Sequence, residues 1–354
     1  MLQDFLEQLR DGQSLTDAQV GRAISALVDE AVPVESKADF LAALAVKGET
    51  AEEIAAFARE LLDRSIRPAL DPDVRSREIV DVCGTGGDRL NTFNISTTVA
   101  LLVSSAGVTV AKHGNRAITS QAGSADVLEA LGVRVDLSPE EAAIFLRDHD
   151  FAFFFAPRYH PAFKHIGPTR KLCAERGQRT IFNFLGPLLN PARPSCQLIG
   201  VPRPELCTPM AKVLKSLGVR RGMVVSGQVP VNGSGSAAFL DELSTLGGTT
   251  VAEFYQDRGF AASALETVHF PLQKATLADL AGGSREANAV IVRRLLGGDE
   301  RGPKRDAVLL NCAAALFVAG RARSMLDGWD LAADLIDTGK AQAKLEQLVA
   351  ASRT

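Results

Sequence analysis

A chain of 354 residues, 46% hydrophobic and 23% charged, has the composition of an ordinary globular protein and is long enough for two domains. Its net charge of −3 gives no general affinity for nucleic acid or anionic membranes, so any anion site must come from local arrangement. Five dispersed cysteines without a C-x-x-C pair, and no apolar run near the roughly 18 residues of a membrane span, point to a cytoplasmic protein with reduced thiols.

Residues 1–65 read as helix throughout. FLEQLRDG, TDAQVGRAISALVDE, SKADFLAALAVKG and TAEEIAAFARELLDRS all repeat apolar residues at three- and four-residue spacing. Thr16, Ser36 and Thr50 are the expected N-caps, and Gly48 the expected stop after Lys47. The opening MLQDFLEQLRDG carries acidic residues, unlike a signal peptide. RPALDPDVRSRE, with two prolines and mixed charge, reads as a linker. From residue 78 strands and helices alternate: EIVDVCG, VTVAKHG, FAFFFAP, SCQLIGV and GMVVSG as strands, with VRVDL another extended stretch. Helices are expected over STTVALLVSSAG, SADVLEALG, SPEEAAIFLRDH and ELCTPMAKVLKSLG, the third opened by a Ser138–Glu141 capping box with Pro139 between. TTVAEFYQD reads as a strand, and REANAVIVRRLLGG, RDAVLLNCAAALFVAG and GKAQAKLEQLVAAS as helices. VNGSGSAA (231–238) is a low-complexity loop. The expected architecture is α/β: a small all-helical N-terminal domain over 1–68, and over 78–354 a larger domain with a mostly parallel central sheet covered by helices.

Two junctions carry the chemistry. In DVCGTGGDRLNTFNIST (81–97), Gly84, Gly86 and Gly87 follow a strand and allow backbone N–H groups to approach a ligand closely. Asn94, Ser96 and Thr97 sit where the next helix opens, so free N–H groups and the positive dipole end face the same turn. Asp88 would need a bridging cation or a hydroxyl partner beside phosphate. The second junction is KHGNRAITSQAGSADVLEALG (112–132), again at a strand's C-terminal end, where open parallel sheets bind ligands. Lys112 and Arg116 supply positive charge, and Gly123-Ser124 starts another helix. Taken separately these are a tight turn, an N-cap and a solvated basic loop; together they read as a double phosphate cradle. Lys112 and His113 are the candidate catalytic side chains, although a loop histidine more often fixes backbone by hydrogen bonds. His160 in RYHPAFKH and Arg170 in GPTRK read alone as structural, and Asp241-Glu242 in LDELS as either a surface pair or Mg²⁺ ligands.

GTGGD…NTFNIST, KHGNRA…GSADVLEALG, YHPAFKH…PTR, RTIFNFLGPLLNPA and LDELS, in this order, resemble the anthranilate phosphoribosyltransferase family, which shares its fold with pyrimidine nucleoside phosphorylases. The resemblance spans nearly the whole chain. It implies transfer of a phosphoribosyl group from 5-phosphoribosyl 1-diphosphate to the amine of anthranilate, with release of diphosphate, in tryptophan biosynthesis. By the same resemblance Gly84, Gly87, Asp88, Thr92, Asn94, Ile95, Ser96 and Thr97 would surround the phosphoribosyl diphosphate. Lys112, His113, Gly114, Asn115, Arg116, Ala117, Ile118, Thr119 and Ser120 would form its second wall, with Ser124 completing it. Asn115 and Arg170 would meet anthranilate, Arg170 at the carboxylate, and Ser96, Asp241 and Glu242 would hold Mg²⁺. The resemblance also implies a segment near 165–190 that returns to the helical domain, and a homodimer. The sequence departs from the family at the stretch VPVNGSGSAAF after Ser226-Gly227, at Arg89-Leu90 and at Ala122. A pyrimidine nucleoside phosphorylase would carry a different glycine motif. A nucleic-acid-binding relative without catalysis would lack KHGNR and the Asp-Glu pair.

Overall fold

The structure is a computed structural model that describes residues 2–117, 121–230, 237–256 and 259–353. Four amphipathic helices open the chain: Leu2–Arg10, Asp17–Val28, Val34–Lys47 and Ala51–Asp63. Thr16 and Thr50 cap the second and fourth in full capping boxes closed by Gln19 and Glu53, and Gly48 ends the third at φ +88°. Ser36 is not a cap. The third helix starts two residues earlier, behind Pro33, whose carbonyl accepts the Lys37 N–H, so Ser36 lies inside the first turn. Thr50→Ala removes the side chain that accepts the Glu53 N–H at 3.1 Å, and is expected to lower stability by about 1 kcal/mol in chemical denaturation. The linker contains one short helix, Pro72–Ser76.

Among the described residues the sheet has eight strands: β1 Ile79–Gly84, β2 Thr109–Gly114, β3 Phe151–Phe155, β4 Cys196–Gly200, β5 Arg221–Val229, β6 Ala238–Leu240, β7 Thr249–Tyr255 and β8 Ala261–Leu265. Their order is β3-β2-β1-β4-β5-β7-β8, with β6 alongside β5. The first five run parallel, in a register that places Gly84 of β1 opposite Gly200 of β4; β6, β7 and β8 are antiparallel. β1 and β2 are buried along nearly their full length, which is why they read as mainly apolar segments without alternation, Asp81, Lys112 and His113 being buried with the rest. β8 escaped the sequence pattern because AASAL is a largely exposed edge strand. VRVDL forms no strand: β3 takes the position beside β2, and Val133, Val135 and Leu137 are buried without a ladder. The helix Met325–Asp337, unread in the sequence, lies against Pro303–Val318, where Gly328 lets it come so close that an added Cβ would stand 2.7 Å from Ala313 O.

Helices cover both sheet faces. On one, Ile95–Ser104, Ser124–Leu131, Arg285–Leu296, Pro303–Val318, Met325–Asp337 and Lys340–Ala351 share a core with Val80, Val82, Val110 and Leu198. On the other, Cys207–Ser216 joins the N-terminal helices to Ile199, Val224 and Phe254 in a second core. The helix Ala162–Glu175 packs on Val34–Lys47 and Asp17–Val28, tied there by Arg176–Asp39 at 3.0 Å and His165–Glu30 at 2.9 Å. All five cysteines are buried and unpaired. Among the described residues no helix is long and apolar enough to cross a membrane.

Candidate active site

The strand order reverses between β1 and β4, and crevices at such points, beyond the carboxyl ends of the strands, are where open α/β sheets bind ligands. Gly84 and Gly200 end these two strands, and Asp241 lies directly over both. A Cβ on Gly84 would stand 2.2 Å from Asp241 Oδ2, and one on Gly200 1.5 Å from Asp241 O. β6 delivers Asp241 and Glu242 to this place. Asn311, fully buried on Pro303–Val318, clamps the next residue by accepting the Leu243 N–H at 2.8 Å and donating to its carbonyl at 3.0 Å. Neither Gly200 nor Asn311 is signalled by the sequence. A lone glycine or asparagine inside an apolar segment gives no local sign of what lies opposite.

The glycine turn and the helix start converge here as expected, with one difference. Asn94 precedes the helix Ile95–Ser104 but makes no side-chain cap. The Ser96 N–H instead donates to Glu242 Oε1 at 3.1 Å, and the Gly86 N–H to Asp241 Oδ2 at 2.7 Å. The amides predicted to face an anion are therefore held by the two carboxylates, each with further oxygen lone pairs to offer. Asn94 is a strut: it donates to Ala122 O at 3.1 Å and accepts from Asn288 Nδ2 at 2.8 Å. Asn288, buried and also unforeseen, joins this junction to the C-terminal helices. Thr92 forms a bridge with Ala281, Ile95 and Thr97 are buried, and Gly87 holds φ +90° at the exposed rim. Asp88 faces Asp241 and accepts the Leu90 N–H at 3.1 Å.

Electrostatically the crevice is acidic with one buried cation behind it. Desolvation first, then repulsion from Asp88, pushes the Asp241 carboxyl upward. Desolvation and then Asp241 do the same to Glu242, while Lys112 pulls it back down. Lys112 is 1% exposed, and its Nζ donates to Val82 O at 2.7 Å with Ser96 Oγ 3.5 Å away. Its charge acts on Glu242 from beneath. Asp81, a third buried carboxylate, is pushed up to about 6 by desolvation against the opposing pull of Lys112. No group of three or more His, Cys, Asp or Glu side chains suited to a metal occurs among the described residues. Two adjacent carboxylates and the Ser96 hydroxyl nonetheless fit a hard cation that shares its remaining positions with water and phosphate.

The second wall is built from β2 and its turn. Gly114 meets Ser124 closely, with Ser124 Oγ donating to Asn115 O at 3.3 Å. Asp126 Oδ2 accepts the N–H groups of Ala117 and Gly123 at 3.0 and 2.9 Å, so the turn is pinned to the start of Ser124–Leu131. Arg116 does not contribute its charge to the crevice: its guanidinium grips Glu129 at 2.6 and 2.7 Å and lies over the Phe155 ring. Ile118, Thr119 and Ser120 lie outside the described residues.

His113 is held at Nδ1 by Gly186 O, 3.1 Å away. A carbonyl only accepts, so Nδ1 carries the hydrogen and Nε2 is a bare acceptor, buried and without a partner among the described residues. Burial, reinforced by His160 and Lys112, pushes His113 down to about 3, which keeps the ring neutral at pH 7. From His113 a row of ring contacts leads away: to His160 at 5.3 Å, Phe163 at 5.6 Å and Phe182 at 5.7 Å. Arg170 ends the row, its Cζ 5.7 Å from the Phe182 ring centre. Among the described residues Arg170 has no carboxylate partner, and burial alone lowers its pKa.

Comparison with known proteins agrees with this geometry. Residues 3–65 match the helical bundle domain of a glycosyl transferase family, and residues 76–342 its α/β domain. An anthranilate phosphoribosyltransferase of Geobacter sp. (strain M21) is 43% identical over 99% of this chain and 98% of its own. The crystal structure of the Thermus thermophilus enzyme superposes with a TM-score of 0.86 at 39% identity, covering 99% of both chains. The Saccharomyces cerevisiae enzyme, in complex with PRPP and Mg, gives 0.86 at 27% identity over 99% of this chain and 98% of its own. The match runs from the first helix to the last, and the chain belongs to the anthranilate phosphoribosyltransferases.

Proposed function

We propose that this chain transfers the phosphoribosyl group in the crevice between β1, β4 and the Asp241-Glu242 pair. The observation that carries the reading is the convergence of three carboxylates on the glycine turn at the sheet's switch point. Ser96, Asp241 and Glu242 hold Mg²⁺ in this reading, and the support is their shared position together with the yeast relative solved with PRPP and Mg. When bound, the ion offsets charge on the diphosphate as it leaves.

The chain's own part is mostly placement. Gly84, Gly87, Thr92, Asn94 and Thr97 line one side of the phosphoribosyl diphosphate, and Gly114, Asn115, Ala117 and Ser124 the other. Lys112 opposes from behind the upward push that burial and Asp241 give Glu242. Anthranilate occupies the row of rings, its carboxylate at Arg170 and its amine toward the bare Nε2 of His113. Orientation of an amine against an activated ribosyl carbon supplies much of the acceleration, and no covalent enzyme intermediate enters. The five free, buried cysteines support a cytoplasmic location; the homodimer rests on family resemblance alone.

The test is the loss of anthranilate fluorescence on adding phosphoribosyl diphosphate, with Mg²⁺ and again with excess chelator. Loss only with the metal supports the reading; no loss with folded protein and Mg²⁺ overturns it. Arg170→Ala tests the anthranilate half. Without the charge-assisted pair, KM for anthranilate is expected to rise about 10–100-fold, with KM for the diphosphate substrate nearly unchanged. Equal rises for both substrates would place Arg170 elsewhere.

A further inference from the structure

Between the helical layer and the sheet runs the segment Gly186–Asn190, and four of its five residues hold a group beside the crevice. Gly186 O accepts from His113 Nδ1 at 3.1 Å, Pro187 O from Gln197 Nε2 of β4 at 3.0 Å, and Leu189 O from His160 Nε2 at 2.7 Å. Asn190 Nδ2 donates to Ala111 O of β2 at 2.7 Å and to Asp81 Oδ2 of β1 at 2.9 Å. The Ala192 N–H donates to Asn190 Oδ1 at 2.9 Å, so the amide has one orientation.

Asp81 is the centre of this arrangement. It is fully buried, and its other oxygen accepts the His113 N–H at 3.2 Å. Lys112 precedes His113 on β2 and attracts Asp81 electrostatically, as it attracts Glu242. Two carboxylates thus compete for one buried ammonium group. Its Nζ lies at Val82 O and toward Ser96, not on Asp81. Asn190 and the His113 N–H, with the Cys83 thiol at 3.8 Å, satisfy Asp81 from outside that competition.

We propose that Asn190 is a positioning residue for phosphoribosyl transfer: by holding Asp81 against the His113 N–H, it leaves Lys112 at Val82 O, beside Ser96 and with its charge acting on Glu242. The inference rests on the crevice reading above. Without the Asn190 amide, Asp81 Oδ2 keeps only the weak Cys83 thiol donor at 3.8 Å, and Lys112 is the cation that already attracts this carboxylate. Lys112 then turns away from the diphosphate end of the site, while the row of rings at the anthranilate end is left as it was.

The experiment is steady-state kinetics on Asn190→Ala, on Asp81→Asn and on the double variant, varying each substrate in turn. In Asn190→Ala, kcat/KM for phosphoribosyl diphosphate is expected to fall about 10–100-fold, the range for losing a group that orients a functional side chain. KM for anthranilate should stay within about twofold. Adding Asp81→Asn to Asn190→Ala removes the charge that captures Lys112 but keeps an oxygen for the His113 N–H. The double variant should therefore recover about tenfold over Asn190→Ala, a coupling that independent structural losses would not produce. Equal losses for both substrates, or no recovery in the double variant, overturns the proposal. If Asn190→Ala does not fold, Asn190→Ser is read in the same way; if neither folds, Asn190 serves the fold and the proposal fails. An inactive wild-type chain would instead sink the crevice reading itself.

Discussion

Asp241→Asn with Glu242→Gln is expected to lower kcat by about 10²–10³-fold, the scale of removing electrostatic contacts to a developing charge. The amides keep the shape of the carboxylates, and their oxygens can still accept the Gly86 and Ser96 N–H groups that the acids hold at 2.7 and 3.1 Å. What they lose is two charges that burial and mutual repulsion already disfavour. Stability should therefore be unchanged or slightly raised, since function is what keeps such a pair in place. A thermal melt separates the two effects. Mg²⁺ with phosphoribosyl diphosphate should raise the Tm of the wild type through binding to the native state, and leave the variant unmoved. A variant that keeps both its activity and its metal-dependent shift would remove Asp241 and Glu242 from the metal site.

Gly200→Ala should have a comparable effect on turnover by a different route. The position faces Asp241 backbone across the strand ends, and its Cβ would fall 1.5 Å from Asp241 O and 2.2 Å from Asp241 C. No side-chain rotation relieves a clash with main chain. The Asp241-Glu242 segment must move, and Asn311 resists from behind through both hydrogen bonds to Leu243. Overpacking of this kind costs about 1–3 kcal/mol. Displacement of the pair by an ångström should cost about 10²-fold in kcat, as misplacement does elsewhere. Folded Gly200→Ala with wild-type kinetics would show that the crevice tolerates a wider opening.

The parts of this protein that depend on local pattern were legible in the sequence. Thr16, Thr50 and the Ser138–Glu141 box act at the termini of their own helices, and the parallel strands read as apolar runs because helices bury both faces. The two strand-to-helix junctions were legible as places in the fold because a glycine turn and a helix start lie close together in the chain. The supports were not. Asp81, Asn190, Asn288, Asn311 and Gly200 matter through residues far away in sequence, and no spacing announces them. Arg116 is a different case: its charge was legible, but its pairing with Asp126 and Glu129 on the following helix was not.

The reach of these contacts along the chain bears on how the protein comes into being. Gly86 and Asp241 are 155 residues apart, Asn94 and Asn288 194. A ribosome adds about 5–20 residues each second, so roughly 8 to 40 seconds separate synthesis of the glycine turn and Asn94 from that of their far partners. During that interval the turn's N–H groups and Asn94 lack the partners that later hold them. Loop-closure entropy further delays pairings of such separation. The first four helices, which contact one another within residues 2–63, can begin to pack early, before Ala162–Glu175 and Cys207–Ser216 complete their layer, whereas a competent crevice is among the last things the nascent chain completes.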